Sequence, residues 1–103
     1  MKQLDDWIEA GAIVRPHGLK GEVVVDLARD LLEVVTESMK LRVTGRREGE
    51  RVLTVERARN HKARKVVQFK GVSTVEDAEA LRRWSLWLTR EQIGPLAEDR
   101  WFV

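Results

Sequence analysis

The sequence predicts an all-β chain with one short helix, its six antiparallel strands closing into a barrel. Three observations carry this expectation. Apolar residues alternate with polar ones over short runs, the period of a half-buried strand. Glycines, prolines and polar clusters interrupt those runs repeatedly, and only one segment carries the grammar of a helix. Six short strands in a chain of 103 residues favour closure, because closure removes the exposed edges that an open sheet leaves. Strand count alone leaves a two-sheet sandwich as the alternative.

Residues 10–14 are expected to form the first strand and residues 23–27 the second. In the second, Val23, Val25 and Leu27 share one face, and Glu22, Val24 and Asp26 the other. The intervening stretch is Arg15-Pro16-His17-Gly18-Leu19-Lys20-Gly21-Glu22. Pro16 fixes its own φ and holds Arg15 extended, which ends the strand, while Gly18 and Gly21 permit the positive φ of a wide turn. Residues 31–35 form an apolar cluster suited to a helical turn or a tight loop. A third strand is expected over 39–43, a polar turn over 45–50, a fourth strand over 52–58 and a fifth over 65–70, with Val67 and Phe69 facing inward. The connection 59–64 is polar and basic and is expected to be an exposed hairpin loop.

Ser73 or Thr74 can cap the single helix, with Glu76 or Asp77 three residues on and Val75, Ala78 and Leu81 on one face. Acid in its first turn and Arg82-Arg83 in its last would complement the helix dipole. The sixth strand, 84–89, places Trp84, Leu86 and Leu88 on one face and Trp87 on the other. Gly94-Pro95 then breaks the structure, and a new apolar run, Trp101-Phe102-Val103, begins and stops. Residues 5–95 are therefore expected to be the barrel, and 96–103 a linker with the first residues of a second, truncated domain.

The spacing Gly11-x-Ile13-x-x-x-His17-Gly18-x-x-Gly21-Glu22-x-x-Val25 resembles the amino-terminal domain of the RimM family of bacterial ribosome-maturation factors. Lys70-Gly71-Val72, the run Glu76-Asp77-Ala78-Glu79-Ala80-Leu81, and the pair Trp101-Phe102 extend the resemblance from about residue 8 to the end. The resemblance implies a six-stranded barrel of the translation-factor type, followed by a PRC-type barrel that starts at the aromatic pair. It implies a non-enzymatic factor that binds the immature 30S subunit at its head, assisting 16S rRNA processing and the assembly of a head protein, small-subunit protein nineteen. The family's aromatic pair is usually two tyrosines, so Trp101 and Phe102 keep a packing role without the hydroxyls.

Composition is consistent with a binding role. No apolar run approaches the roughly 20 residues of a membrane-spanning helix, and the chain has no cysteine for a disulfide or thiolate metal site. A cytoplasmic location is expected. The net charge is only +2, yet residues 42–65 hold nine basic and three acidic groups. His17 and His61 are the two histidines, in different predicted loops and without metal-ligand spacing, and no serine has a nucleophile's setting. No catalytic residue, metal, cofactor or small-molecule substrate is expected.

Two candidate surfaces follow. One is the loop bearing Arg15, His17 and Lys20, shaped by Gly11, Gly18 and Gly21, which serves as a braced turn, a recognition loop, or both. The other is a hairpin tip where Arg57, Arg59, His61, Lys62, Arg64 and Lys65 fan outward, either to neutralise phosphates or simply to stay solvated. No aromatic residue lies between Val43 and Val67, so phosphate and shape recognition of folded RNA is the expected mode, not base stacking. A general RNA-binding barrel module of the translation-factor or oligonucleotide-binding type is the rival reading. Trp87, Trp101 and Phe102 are candidates for contact with a partner protein or a second domain, Trp87 alternatively lying beneath the chain's own tail.

Overall fold

Six strands close on themselves in the order β1-β2-β5-β4-β3-β6, every neighbour antiparallel. The computed structural model describes residues 7–45, 47 and 49–94. The strands are β1 (Trp7–Pro16), β2 (Val23–Leu27), β3 (Lys40–Thr44), β4 (Glu50–His61), β5 (Arg64–Phe69) and β6 (Ser85–Thr89). The barrel expected from the strand count is therefore present, and the sandwich is excluded.

Closure falls to β1, which pairs with both β2 and β6 and bends at two bulges, Glu9/Gly11 and Ile13/Arg15. Bulges bend a strand and raise its twist, which a small barrel requires. Gly11 stands in this strand rather than in a loop, and a Cβ there would come 2.0 Å from the Asp26 carbonyl oxygen. The side-chain alternation expected for β2 and β6 is observed: Val23, Val25 and Leu27, and Leu86 and Leu88, point into the interior with Ile8, Ile13, Leu41, Val43, Val55, Val67 and Phe69. Leu31 and Val35 join the same core, following a 3-10 turn at Arg29–Leu31.

Thr74 is the helix cap, its hydroxyl accepting the Asp77 N–H at 3.0 Å. Helix α1 (Val75–Glu79) is shorter than expected, and Arg82 and Arg83 lie beyond it in a turn. Its Ala78, with Leu81 and Trp84 after it, is buried in the core. A second helix, α2 (Arg90–Ile93), which the sequence reading did not anticipate, starts directly from β6. Thr89 and Gln92 cap each other reciprocally at 2.8 and 3.1 Å. The Gln92 amide then donates to the Lys40 carbonyl at 2.8 Å, tying the end of β6 to the start of β3.

The largest departure concerns residues 59–64. They do not form a loop: β4 runs through Arg59 and Asn60 to His61, β5 begins at Arg64, and only Lys62 and Ala63 turn. Polar composition suggested a loop, but a hairpin arm at the barrel's rim can keep its ladder with one face in water. Arg57, Arg59 and His61 alternate with Ala58 and Asn60 once the bulge at Glu56 is passed.

A candidate nucleic-acid interface on the outer face of the barrel

Cross-strand register assembles the site. Arg15 of β1 pairs with Val24 of β2, Val24 with Val66 of β5, and Val66 with Arg59 of β4. Two arginines thus stand at the ends of one row, with two valines between them. Val24 and Val66 are as buried as the core residues, 0% and 1% exposed, yet they face away from the core cluster. They form a small apolar floor outside the barrel, and burying such a pair contributes about 1.5–3 kcal/mol per side chain. Val24 lines a hollow with Arg15, His61 and Arg64; Val66 lines another with Glu22, Arg57 and Arg59. The unbroken run Val23-Val24-Val25 was the signal that both faces of β2 are covered.

The β1–β2 loop is fastened over this floor at several points. The His17 N–H donates to the Glu22 carbonyl at 2.8 Å, closing the loop's neck. The Gln68 amide nitrogen, on the outer face of β5, donates to the Lys20 carbonyl at 3.0 Å and the Val72 carbonyl at 2.6 Å. Gln68 was not anticipated; a lone amide inside Val66-Val67-Gln68-Phe69 was its signal, since a buried amide needs partners. Gly21, at φ +90°, sits so close to the chain that a Cβ would approach the Val72 oxygen to 2.3 Å. Gly18 has positive φ with open space around it. Leu19, at the loop's tip, is 82% exposed.

These anchors bring the two candidate surfaces together. The His17 and His61 rings meet edge to face, centroids 5.2 Å apart, so the loop and the hairpin form one surface. Arg59 Nη1 donates to Glu22 Oε2 at 2.7 Å, a second link between them. Arg15, Lys20, Arg57, Lys62 and Arg64 are exposed on this side. Among the described residues, no carboxylate pairs with Arg57, Lys62 or Arg64.

Lys65 does not share in this surface. Its side chain is buried, and its Nζ donates to the Leu32 carbonyl on the opposite side of β5. Burial lowers its pKa below the ordinary 10.5, and the neighbouring Glu33 carboxylate opposes that shift. The alternation of β5 makes this inevitable: Lys65, Val67 and Phe69 share the inward face.

Trp87 lies elsewhere, on the outer face between Glu9 of β1 and Arg42 of β3. It is half-buried, and its indole N–H donates to the Thr44 hydroxyl at 2.8 Å. Arg42 stands 5.6 Å from the Trp7 ring centroid and binds Glu50 through two 2.9 Å hydrogen bonds. Trp7 was not singled out from sequence. Trp101 and Phe102 lie outside the described residues. Among the described residues, no group of three or more His, Asp or Glu side chains could hold a metal ion, and no helix is long and apolar enough to cross a membrane.

The fold and this surface define a class: a small closed antiparallel barrel with a cationic outer face. The chain belongs to the RimM family, the model of the RimM N-terminal domain matching residues 8–93. It is 32% identical over 104 residues to the ribosome maturation factor RimM of Geobacillus kaustophilus, covering 99% of this chain and 59% of that protein. It thus spans little more than half the length of that relative. A crystal structure of a RimM protein from Pseudomonas aeruginosa matches with a TM-score of 0.74 and 24% identity, over 84% of this chain and 52% of that one. The solution structure of the N-terminal domain of RimM from Thermus thermophilus matches with a TM-score of 0.65 and 23% identity, over 87% of this chain and 96% of that domain. At these identities the two structures speak to the fold.

Proposed function

We propose that this barrel acts in ribosome maturation, binding the immature 30S subunit near its head and helping 16S rRNA and small-subunit protein nineteen reach their final arrangement. It works by binding, without bond-making chemistry or a cofactor, in the cytoplasm where such particles assemble. A factor of this kind needs only to bind one arrangement of RNA and protein better than its competitors. Residues 96–103 open a second, PRC-type domain in this reading, with Trp101 and Phe102 contributing to protein contact.

The observation that carries the RNA part is the fused outer surface, where the β1–β2 loop and the β4–β5 hairpin place Arg15, Lys20, Arg57, Lys62 and Arg64 on one side. Among the residues that build it this surface has no Phe, Tyr or Trp for base stacking, which suits phosphates of folded RNA. Arg57, Lys62 and Arg64 are the informative positions, because Arg59 is already paired with Glu22. Replacing those three with glutamine is expected to weaken association with immature small subunits at least about tenfold at moderate salt. It should also lower the salt slope of binding by about 2 to 3. Unchanged association, measured by co-sedimentation beside a circular-dichroism check of folding, would remove the RNA role. Equal affinity of the unaltered chain for structured and unstructured RNA would favour a general RNA-binding module instead.

A further inference from the structure

The two imidazoles make a more specific site than the rest of the basic surface. His17 and His61 come from segments 44 positions apart and meet at 5.2 Å with rings inclined at 62°. His61 also lines an open hollow of about 300 Å³, with Arg15, Val24, Lys62, Ala63 and Arg64, and His17 packs on the His61 ring without lining the hollow itself. This is ample for a phosphate group, since one water needs only about 10–15 Å³ of such space. Its walls are basic and its floor is the buried Val24.

The charges around the pair decide what it binds. Arg15 from β1, Lys62 from the turn and Arg64 from β5 line the hollow and are positive, and Lys20 adds a further positive charge to the loop that carries His17. Arg59 from β4 is positive but spent on Glu22, the carboxylate at the loop's neck. Two imidazoles would otherwise suit a transition metal, but a cation is repelled here, and the described residues offer no third ligand in reach. An anion is attracted instead. Each proton gained by the pair adds charge and a donor for phosphate oxygens, and histidine is the side chain that ordinarily gains its proton between about pH 5 and 8. Two imidazolium rings packed together repel unless an anion lies against them, so proton uptake and anion binding must favour each other by linkage.

We propose that His61, with Arg15 and Arg64 around it and His17 packed on its ring, forms a seat for one phosphodiester group of the bound RNA, and that the seat fills more readily as pH falls. This rests on the RNA-binding reading above and narrows it to one phosphate position. The test compares the full 103-residue chain with a His17→Gln/His61→Gln double variant whose fold is checked by its amide NMR spectrum. Affinity for a short RNA hairpin is measured at pH 5.8 and 7.8 and constant ionic strength. The unaltered chain should bind about tenfold more tightly at pH 5.8, whereas the double variant should change by less than about twofold. In parallel, dimethyl phosphate, a monoanion at both pH values, is titrated while the two imidazole ring resonances are followed. Both should move in one saturable curve, more tightly at the lower pH.

Two results would overturn the seat while leaving the RNA reading intact: RNA affinity that responds to pH equally in the unaltered chain and the double variant, or ring resonances unmoved by dimethyl phosphate and RNA alike. Rings that respond to dimethyl phosphate in a chain that binds no RNA at either pH would overturn the assignment to RNA. That result would count against the broader reading as well.

Discussion

Gly21 and Gly18 are three residues apart in one loop and both adopt positive φ, yet they do different work. At Gly18 an added methyl meets open space, so alanine there costs only the backbone strain, about 1–2 kcal/mol. At Gly21 the same strain is joined by a clash with the Val72 carbonyl, against which the loop is pinned. Gly21→Ala is therefore expected to cost about 2–4 kcal/mol and to loosen His17 from His61. Urea denaturation of the two variants side by side should show the difference; equal losses would mean the loop is not held by that contact. Pro16 and the two glycines predict a wide turn here. Nothing in the local sequence distinguishes Gly18 from Gly21, because the Val72 backbone is brought in by the connection after β5.

The hairpin β4–β5 is the element on which local and tertiary signals diverge most. Arg59 to Arg64 has the composition of a loop, and the ladder Arg59↔Val66, Asn60↔Lys65, His61↔Arg64 makes it a strand pair. Local polarity is a poor guide where pairing satisfies the backbone and only one face needs water. Lys65 shows the cost of the inward face. Its folded-state pKa lies below the ordinary 10.5 through burial, with Glu33 opposing. Between the lowered value and 10.5 the unfolded chain holds a proton that the folded chain has released, so stability rises with pH across that window and is unaffected by this group below it. Lys65→Met should abolish that rise. Measured as urea midpoints at about pH 8 and pH 10.5, the native chain should gain on the Lys65→Met chain at the higher pH. A constant difference would show that Lys65 keeps its ordinary affinity for the proton.

For the whole molecule, closure passes through Gly11, whose neighbours across the ladders are Leu27 on one side and Leu86 on the other. A Cβ there would overlap the Asp26 backbone at 2.0 Å and push β2 away from β1. Gly11→Ala is expected to cost about 2–4 kcal/mol and to open the seam before the rest of the barrel. Amide hydrogen exchange should then be faster in β1, β2 and β6 than in the β3–β4 pair. Uniform acceleration would show instead that the barrel opens as one unit.

The amino-acid sequence by itself determined the number of strands, a capped helix start at Ser73 or Thr74, the inward faces of β2 and β6 and the family resemblance; the structure chose Thr74. Each of these is written in short-range alternation or in spacing along one segment. Only the tertiary structure decided that His17 and His61 meet, that Lys65 turns inward while Arg57 and Arg59 turn out, and that Gly21 and Gly11 admit no side chain. Those facts depend on which strand lies beside which, and on the bulges that set register. Pairing between distant segments is a property of the closed barrel and leaves almost no trace in either segment alone.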